Sequence, residues 1–335
     1  MDGLRRALII GIDDYQVSPL TGCVADAQGM ASLLARHQGG GRNYDVRVVT
    51  SDTATINRQD LRTCLAELFE HARDASILFF FAGHGAQTPW GVELVTQDCA
   101  RHSLGVSLND IITLANDSPA REVTVILDCC FSGDVANLPG LQAAAVAQAF
   151  RLDKAVLGEN VTVLAASRAT QPSAEIPGGG QGAFTQLLLE GLDGAAADHL
   201  GEVTPLSLYA FASRAFGAWE QRPVFKSHVS QASALRVCHP ALDAELLRQL
   251  PVYFPTADAR VAMLPAHEGE GRPLAEGAPR TAEQTAFDYF KQLRNASLLT
   301  TDDDEDLYFA ALESHEVYLT AMGRYFWKLA NGDLL

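Results

Sequence analysis

An α/β fold with a mostly parallel central sheet is the class this sequence predicts, and three observations carry the prediction. Strand-like apolar runs alternate with helix-like segments from the start of the chain to about residue 235. The runs at Ser76–Phe81 and Glu122–Leu127 are nearly continuously apolar, as strands buried on both faces are. Both end abruptly in small or polar residues, at Ala82-Gly83-His84-Gly85 and Asp128-Cys129-Cys130-Phe131-Ser132-Gly133. Such endings mark the carboxyl edge of a parallel sheet, where open α/β folds build their sites.

The elements follow in order. Ala7–Gly11 reads as a strand, and Val24–His37 as a helix that stops before Gly39-Gly40-Gly41. Asp45–Thr50 is strand-like. Asn57 suits a helix N-cap, and Leu61, Cys64, Leu65 and Leu68 then recur at i, i+3, i+4 and i+7. After the strand at 76–81 come a helix at Ser107–Ala115 and the strand at 122–127. Residues 134–160 show no clear period, and their Ala-rich centre fits a short helix or a loop equally. Val161–Ala166 is strand-like again, Ala183–Leu192 is helical, Thr204–Gln221 is helical, and Pro223–Phe225 suits a short strand. Gly178-Gly179-Gly180-Gln181-Gly182 lacks the Gly-Lys-Ser/Thr of a phosphate loop and reads as a connection.

Beyond residue 240 the character changes. Residues 251–280 hold five prolines, so 241–280 is expected to be a linker between a domain at 1–240 and a small helical, acidic segment at 281–335. Thr281 with Gln284 forms a capping box ahead of Phe287 and Phe290. A last helix is predicted from about Asp304 to Leu329, with Tyr308, Leu312, Leu319, Met322 and Phe326 on one stripe and His315 interrupting it. The run Asp302-Asp303-Asp304-Glu305-Asp306 lacks EF-hand spacing and reads as acidic decoration of that helix start.

Composition narrows the function. The 335 residues are 47% hydrophobic and 20% charged, an ordinary globular balance with room for a large core. The net charge is −16, and positions 241–335 carry half of it, with 16 acidic against 8 basic residues. Affinity for nucleic acid or anionic membranes is therefore not expected. No apolar run approaches the roughly 18 residues of a membrane helix, and no secretory h-region is present, so a cytoplasmic location is expected. Six cysteines, scattered except for Cys129-Cys130, make no disulfide framework, and no Cys-x-x-Cys suggests zinc. Asn295-Ala296-Ser297 is a glycosylation sequon without an export signal to make it relevant.

The chemistry rests on His84 and Cys130. An imidazole and a thiol delivered by separate strands to one sheet edge supply a base and a nucleophile for acyl transfer. The histidine stands 46 positions before the cysteine, near the caspase-like spacing of about 50 with His first. Taken singly, either residue is more often ordinary packing. As a pair at matching strand ends they point to catalysis. Backbone N–H groups of Cys130 and Gly85 are the expected oxyanion donors.

At these residues the chain resembles the caspase–metacaspase clan of cysteine peptidases, in particular its prokaryotic metacaspase members. Gly83-His84-Gly85 matches the family's His turn, and Asp128-Cys129-Cys130-Phe131-Ser132-Gly133 matches Asp-x-Cys-His-Ser-Gly with Cys130 as the cysteine and Phe131 in place of the usual His. Ala7–Tyr15 with Leu20-Thr21-Gly22-Cys23-Val24-Ala25-Asp26-Ala27 resembles the first strand and loop. Ala165-Ala166-Ser167 to Glu175, then Gly182-Ala183-Phe184-Thr185, resembles the entry to the small subunit. The likeness covers roughly residues 5–235. It implies a caspase–hemoglobinase-like three-layer sandwich and a cysteine endopeptidase acting on protein substrates.

The resemblance also places an S1 pocket at Asp26, Ala82 and Asp128. Two carboxylates there favour a P1 Arg or Lys through charge-assisted hydrogen bonds. No arginine lies between Arg6 and Arg36, and the Gln-Ala-Cys-x-Gly of aspartate-cleaving caspases is missing. The plainer reading of Asp26 is a cap for the helix starting near Ala27. Arg151 and Lys154, the only Lys or Arg between Arg121 and Arg168, are candidate processing sites of a latent proenzyme, cut by itself or by an upstream protease. No cofactor is required by this chemistry. Glu93, Asp98 and Asp134 lie near the family's calcium-binding aspartates without reproducing their pairing, so calcium activation is left open and slightly disfavoured. The metal-site expectation is none. Prokaryotic relatives with an extra C-terminal segment imply a stress or defence role. The competing function is a caspase-like scaffold or adaptor that recruits a protein partner through 281–335, with catalysis weak or lost. A small-molecule hydrolase is the third, disfavoured by the missing Gly-x-Ser-x-Gly elbow.

Overall fold

The computed structural model describes residues 4–70, 72–88, 91–100, 103–130, 156–166, 183–216, 223–230, 233–269 and 279–335. The chain divides into two compact units, Met1–His239 and Pro240–Leu335.

The first unit is a three-layer α/β structure. In order it contains β1 (Arg5–Gly11), α1 (Cys23–Ala35), β2 (Asp45–Thr50), α2 (Arg58–Phe69), β3 (Ser76–Thr88), β4 (Gly91–Ala100), β5 (Ser103–Ser107), α3 (Leu108–Asp117), β6 (Glu122–Cys130), β7 (Val161–Ala165), α4 (Ala183–Glu190), β8 (Glu202–Val203), α5 (Pro205–Phe216), β9 (Val224–His228) and β10 (Arg236–Val237). The central sheet runs β2-β1-β3-β6-β7-β9. Its strands are parallel except β9, which pairs antiparallel with β7.

The continuous apolar strands are the central ones, as two-sided burial requires. Phe79, Phe80 and Phe81 on β3 are all 0% exposed, each worth roughly 1.5–3 kcal/mol against exposure. Alternation sends their side chains to two separate cores. Phe79 and Phe81 join Val125, Leu127 and Cys129 under α2 and α3, where the predicted stripe Leu61, Cys64, Leu65 and Leu68 packs. Leu78, Phe80 and Ala82 join Ile126 and Leu164 under α1, α4 and α5, against Cys23, Ala27, Met30, Phe184 and Leu188. Asn57 caps α2 as expected, accepting from the Asp60 N–H. A side chain at Gly11 would place its Cβ 2.4 Å from the Cys23 carbonyl oxygen, so this glycine lets α1 seat on the end of β1.

Two strands were not anticipated. β4 and β5 form a hairpin continuing from β3, which pairs antiparallel with β4 through Gly85↔Leu94 to Thr88↔Gly91. Their signal is a short alternation, Val92 and Leu94 against Gly91 and Glu93, broken by Val95.

The second unit corrects three expectations. Within the stretch 241–280, expected to be a linker, the described residues 241–269 instead fold through α6 (Ala244–Arg248), α7 (Leu250–Tyr253), β11 (Arg260–Ala262) and α8 (Pro265–Glu268). Pro251 and Pro265 fall in the first turns of helices, where a missing N–H costs nothing. The unit continues with α9 (Ala282–Asn295), β12 (Leu299–Thr301), α10 (Leu307–Leu312), β13 (Glu316–Leu319) and α11 (Ala321–Asn331). It is thus not purely helical: β11, β13 and β12 make an antiparallel sheet in that order. The single helix predicted over 304–329 is split by β13. Ser314 takes a left-handed φ of 60°, Val317 and Leu319 alternate inward, and the Thr320 hydroxyl accepts from the Gly323 N–H to start α11 afresh. The acidic run divides its roles. Asp306 caps α10, whereas Asp302 pairs with Arg260 and Asp304 with Arg294.

Candidate active site

The site forms where β1 and β2 stop and β3 and β6 continue. β1 ends with Gly11 opposite Ala82, while β3 and β6 run on together through Ala82↔Asp128, Gly83↔Cys129 and His84↔Cys130. The chain leaving β1 becomes the loop 12–22, which folds beside the protruding end of β3. Asp13 organises that loop. Its carboxylate accepts from the Cys23 and Val24 N–H groups at 2.9 and 3.1 Å, its carbonyl accepts from Tyr15 and Leu20, and its N–H donates to the Ser51 hydroxyl. Asp13, rather than Asp26, therefore supplies the acceptors at the start of α1.

The same loop grips His84. The Nε2 atom of His84 lies 2.7 Å from the Ser18 carbonyl oxygen. A carbonyl only accepts, so Nε2 carries the proton, and in the neutral ring Nδ1 is the basic atom. Ser18 holds this carbonyl in place from a left-handed φ of 57°, a conformation costing about 1–2 kcal/mol. Tyr15 adds a second hold: its hydroxyl lies 3.1 Å from the His84 N–H and 3.1 Å from the Val95 carbonyl. His84 itself is buried, with 1% exposure.

Cys130 is the last residue of β6 and the register partner of His84. Cys129 belongs to the apolar core under α2 and α3. Burial pushes the thiols of Cys64, Cys99 and Cys238 up from their ordinary value, with the Asp98 charge adding to the effect at Cys99. None of those three is disposed to be a thiolate at neutral pH. Gly85 stands where β3 exchanges its parallel neighbour for the antiparallel β4.

The three S1 candidates lie on the α1–α4 side of the sheet. Ala82 is fully buried opposite Asp128. Asp128 accepts a hydrogen bond of 2.6 Å from the Thr185 hydroxyl on α4. Asp26 sits in the first turn of α1, buried like Asp128 at 2% exposure. Arg151, Lys154 and Asp134 lie outside the described residues. The Glu93 carboxylate accepts from the Leu104 and Gly105 N–H groups, and Asp98 from the Thr96 hydroxyl and the Arg58 N–H. These two carboxylates brace the β4–β5 hairpin and the start of α2. Among the described residues the one mixed carboxylate–imidazole group is Glu305, Glu313 and His315 in the second unit.

A family model described as the caspase domain matches residues 4–233. The chain belongs to the caspase-domain family. That family is one of cysteine-type endopeptidases. Metacaspase-1A of Aspergillus niger is 30% identical over 153 residues, covering 41% of this chain and 38% of that protein. Metacaspase-1 of Sclerotinia sclerotiorum is 30% identical over 154 residues, covering 41% and 35%. The chain thus spans well under half the length of these curated relatives. The solved structure of pro-sf-caspase-1 aligns over 71% of this chain and 94% of its own, at 15% identity and a TM-score of 0.45.

Within the caspase domain, sequence reasoning passed over Asp13 and Ser18 and noticed Tyr15 and Thr185 only as members of longer motifs. Asp13 had a signal: an acidic residue just past a strand end, ahead of a helix with no cap of its own. Ser18 had none, because its contribution is a main-chain carbonyl.

Proposed function

We propose that this protein is a cysteine endopeptidase that cleaves proteins after Arg or Lys, with Cys130 as nucleophile and His84 as general base and acid. The observation that carries the reading is the pairing of His84 with Cys130 at the carboxyl edge of adjacent parallel strands, with His84 Nε2 tied to Ser18. His84 Nδ1 takes the proton of the Cys130 thiol. The thiolate attacks the scissile carbonyl carbon, a C–S bond forms, and the backbone N–H groups of Cys130 and Gly85 hold the oxyanion. The Nδ1–H then protonates the leaving amine as the C–N bond breaks. Water, deprotonated by Nδ1, hydrolyses the thioester and returns the thiol. The Ser18 carbonyl supports the transient imidazolium by accepting from Nε2–H throughout. Asp26 and Asp128 bind the P1 guanidinium or ammonium group.

The enzyme is further proposed to be made as a latent proenzyme and cut at Arg151 or Lys154. A positional-scanning peptide library, run with and without calcium, tests the specificity, with Arg and Lys expected at P1. Cleavage after Asp and none after Arg would overturn the pocket. Intact-mass analysis of active enzyme beside Cys130→Ala tests processing. Full activity from an uncut chain, or from the Arg151→Ala/Lys154→Ala double variant, would remove it from the mechanism.

A further inference from the structure

Tyr15 touches the proposed base in two ways at once. Its ring centroid lies 4.6 Å from that of His84, at an interplanar angle of 47°. Its hydroxyl accepts from the His84 N–H and donates its own proton to the Val95 carbonyl, both at 3.1 Å. These roles are fixed, since an N–H only donates and a carbonyl only accepts. The neighbouring Gly83 is shaped around that hydroxyl: an added Cβ would stand 2.6 Å from it. A buried phenylalanine would fill the same volume. The oxygen, however, engages two main-chain groups, one of which belongs to the base.

The environment gives the contact its significance. Tyr15 lies three residues before Ser18, whose carbonyl holds His84 Nε2. One loop therefore grips the histidine at its main-chain N–H, its ring face and its ring nitrogen. The loop is fastened to β4 a second time, because the Gln97 side chain donates to the Asp14 carbonyl at 2.7 Å and accepts from the Ile56 N–H. We propose that Tyr15 is a positioning residue for His84, fixing the imidazole so that Nδ1 meets the nucleophile and making β4 part of the base's mount. The inference rests on the peptidase reading, and it adds a residue that acts through the base.

The test measures the rate of iodoacetamide alkylation at Cys130 against pH, peptide by peptide, alongside kcat and KM on an Arg-P1 peptide. Tyr15→Phe removes only the oxygen. Gly83→Ala keeps it but displaces it, and so decides the matter if Tyr15→Phe does not fold. Misplacing a reacting group by an ångström can cost about a hundredfold, and a fall in kcat of about ten- to a hundredfold with little change in KM is expected for both. The alkylation profile should move toward that of His84→Ala, near the free-thiol value of about 8.5. A folded variant with kcat and alkylation profile within about twofold of wild type, whatever its Tm, overturns the proposal. Such behaviour beside an inactive His84→Ala would leave the peptidase reading standing. A fully active His84→Ala would remove that reading and this inference together.

Discussion

The Thr185 hydroxyl donates to Asp128 Oδ2 at 2.6 Å, joining α4 to the end of β6 in a fully buried contact. A carboxylate removed from water persists only where donors or a cation compensate it. Thr185 supplies one donor, and the proposed P1 side chain supplies the cation. Asp128→Asn is therefore expected to lower kcat/KM for Arg-P1 peptides by about a hundredfold or more, the loss of a desolvated charge partner. Thr185→Val should raise KM for the same peptides by about tenfold, one hydrogen bond to a charged group, and Thr185→Ser should recover most of it. Equal losses on Arg-P1 and neutral-P1 peptides would count against a role in specificity.

Cys129 and Cys130 separate cleanly by experiment. Cys129 is 1% exposed in the core beneath α2 and α3. Cys129→Ala should cost about 1 kcal/mol of stability, the common size of a small core truncation, and leave peptide hydrolysis per folded molecule intact. Cys130→Ala should abolish hydrolysis with an unchanged denaturation midpoint. The reverse pattern would reassign the nucleophile.

The legibility of this chain follows the range of the forces involved. Ser76–Phe81 and Glu122–Leu127 were readable as central strands because two-sided burial writes a continuous apolar run into the sequence itself. The α2 stripe was readable because its period is local. β13 was misread: Tyr308, Leu312, Leu319 and Phe326 satisfy helical spacing, while the break at Ser314 and the pairing with β11 and β12 depend on residues far along the chain. The prolines of 251–280 suggested a connection, yet Pro251 and Pro265 open helices. At the site, the side-chain chemistry of His84 and Asp128 was visible. The main-chain acceptor at Ser18 was not, since any residue type carries a carbonyl.

His315 gives the second unit a pH dependence of definite sign. Its Nδ1 lies 2.7 Å from the Glu305 carboxylate, and Nε2 lies 3.8 Å from Glu313. The Glu305 hydrogen bond, with the Glu305, Glu313 and Asp302 charges, raises its pKa above the ordinary value of 6.5. Folding thus favours the protonated ring. The stabilisation is complete below about pH 6.5 and disappears as pH rises through the raised folded-state value. The group is exposed, so salt should weaken the effect. The NMR titration of His315 should show the upward shift, and His315→Gln should flatten the urea midpoint between mildly acidic and mildly alkaline pH. A midpoint in wild type that rises over that interval would contradict this assignment.

Asp13 should link stability to activity. It satisfies the Cys23 and Val24 N–H groups at the start of α1 and sits at the root of the loop that presents the Ser18 carbonyl to His84. Asp13→Ala removes both carboxylate acceptors, and loss of an acceptor at a helix start costs about 0.5–2 kcal/mol. The loop would also lose its tie to α1, leaving Ser18 free to move relative to the imidazole. A kcat loss larger than the unfolded fraction explains is therefore expected, with KM little changed. Asp13→Asn keeps one acceptor oxygen and should fall between wild type and Asp13→Ala in both measurements. If chemical denaturation showed the expected loss while kcat per folded molecule stayed at the wild-type value, Asp13 would be a helix cap alone, and the rigidity of the Ser18 carbonyl would have to come from Tyr15 and Gln97.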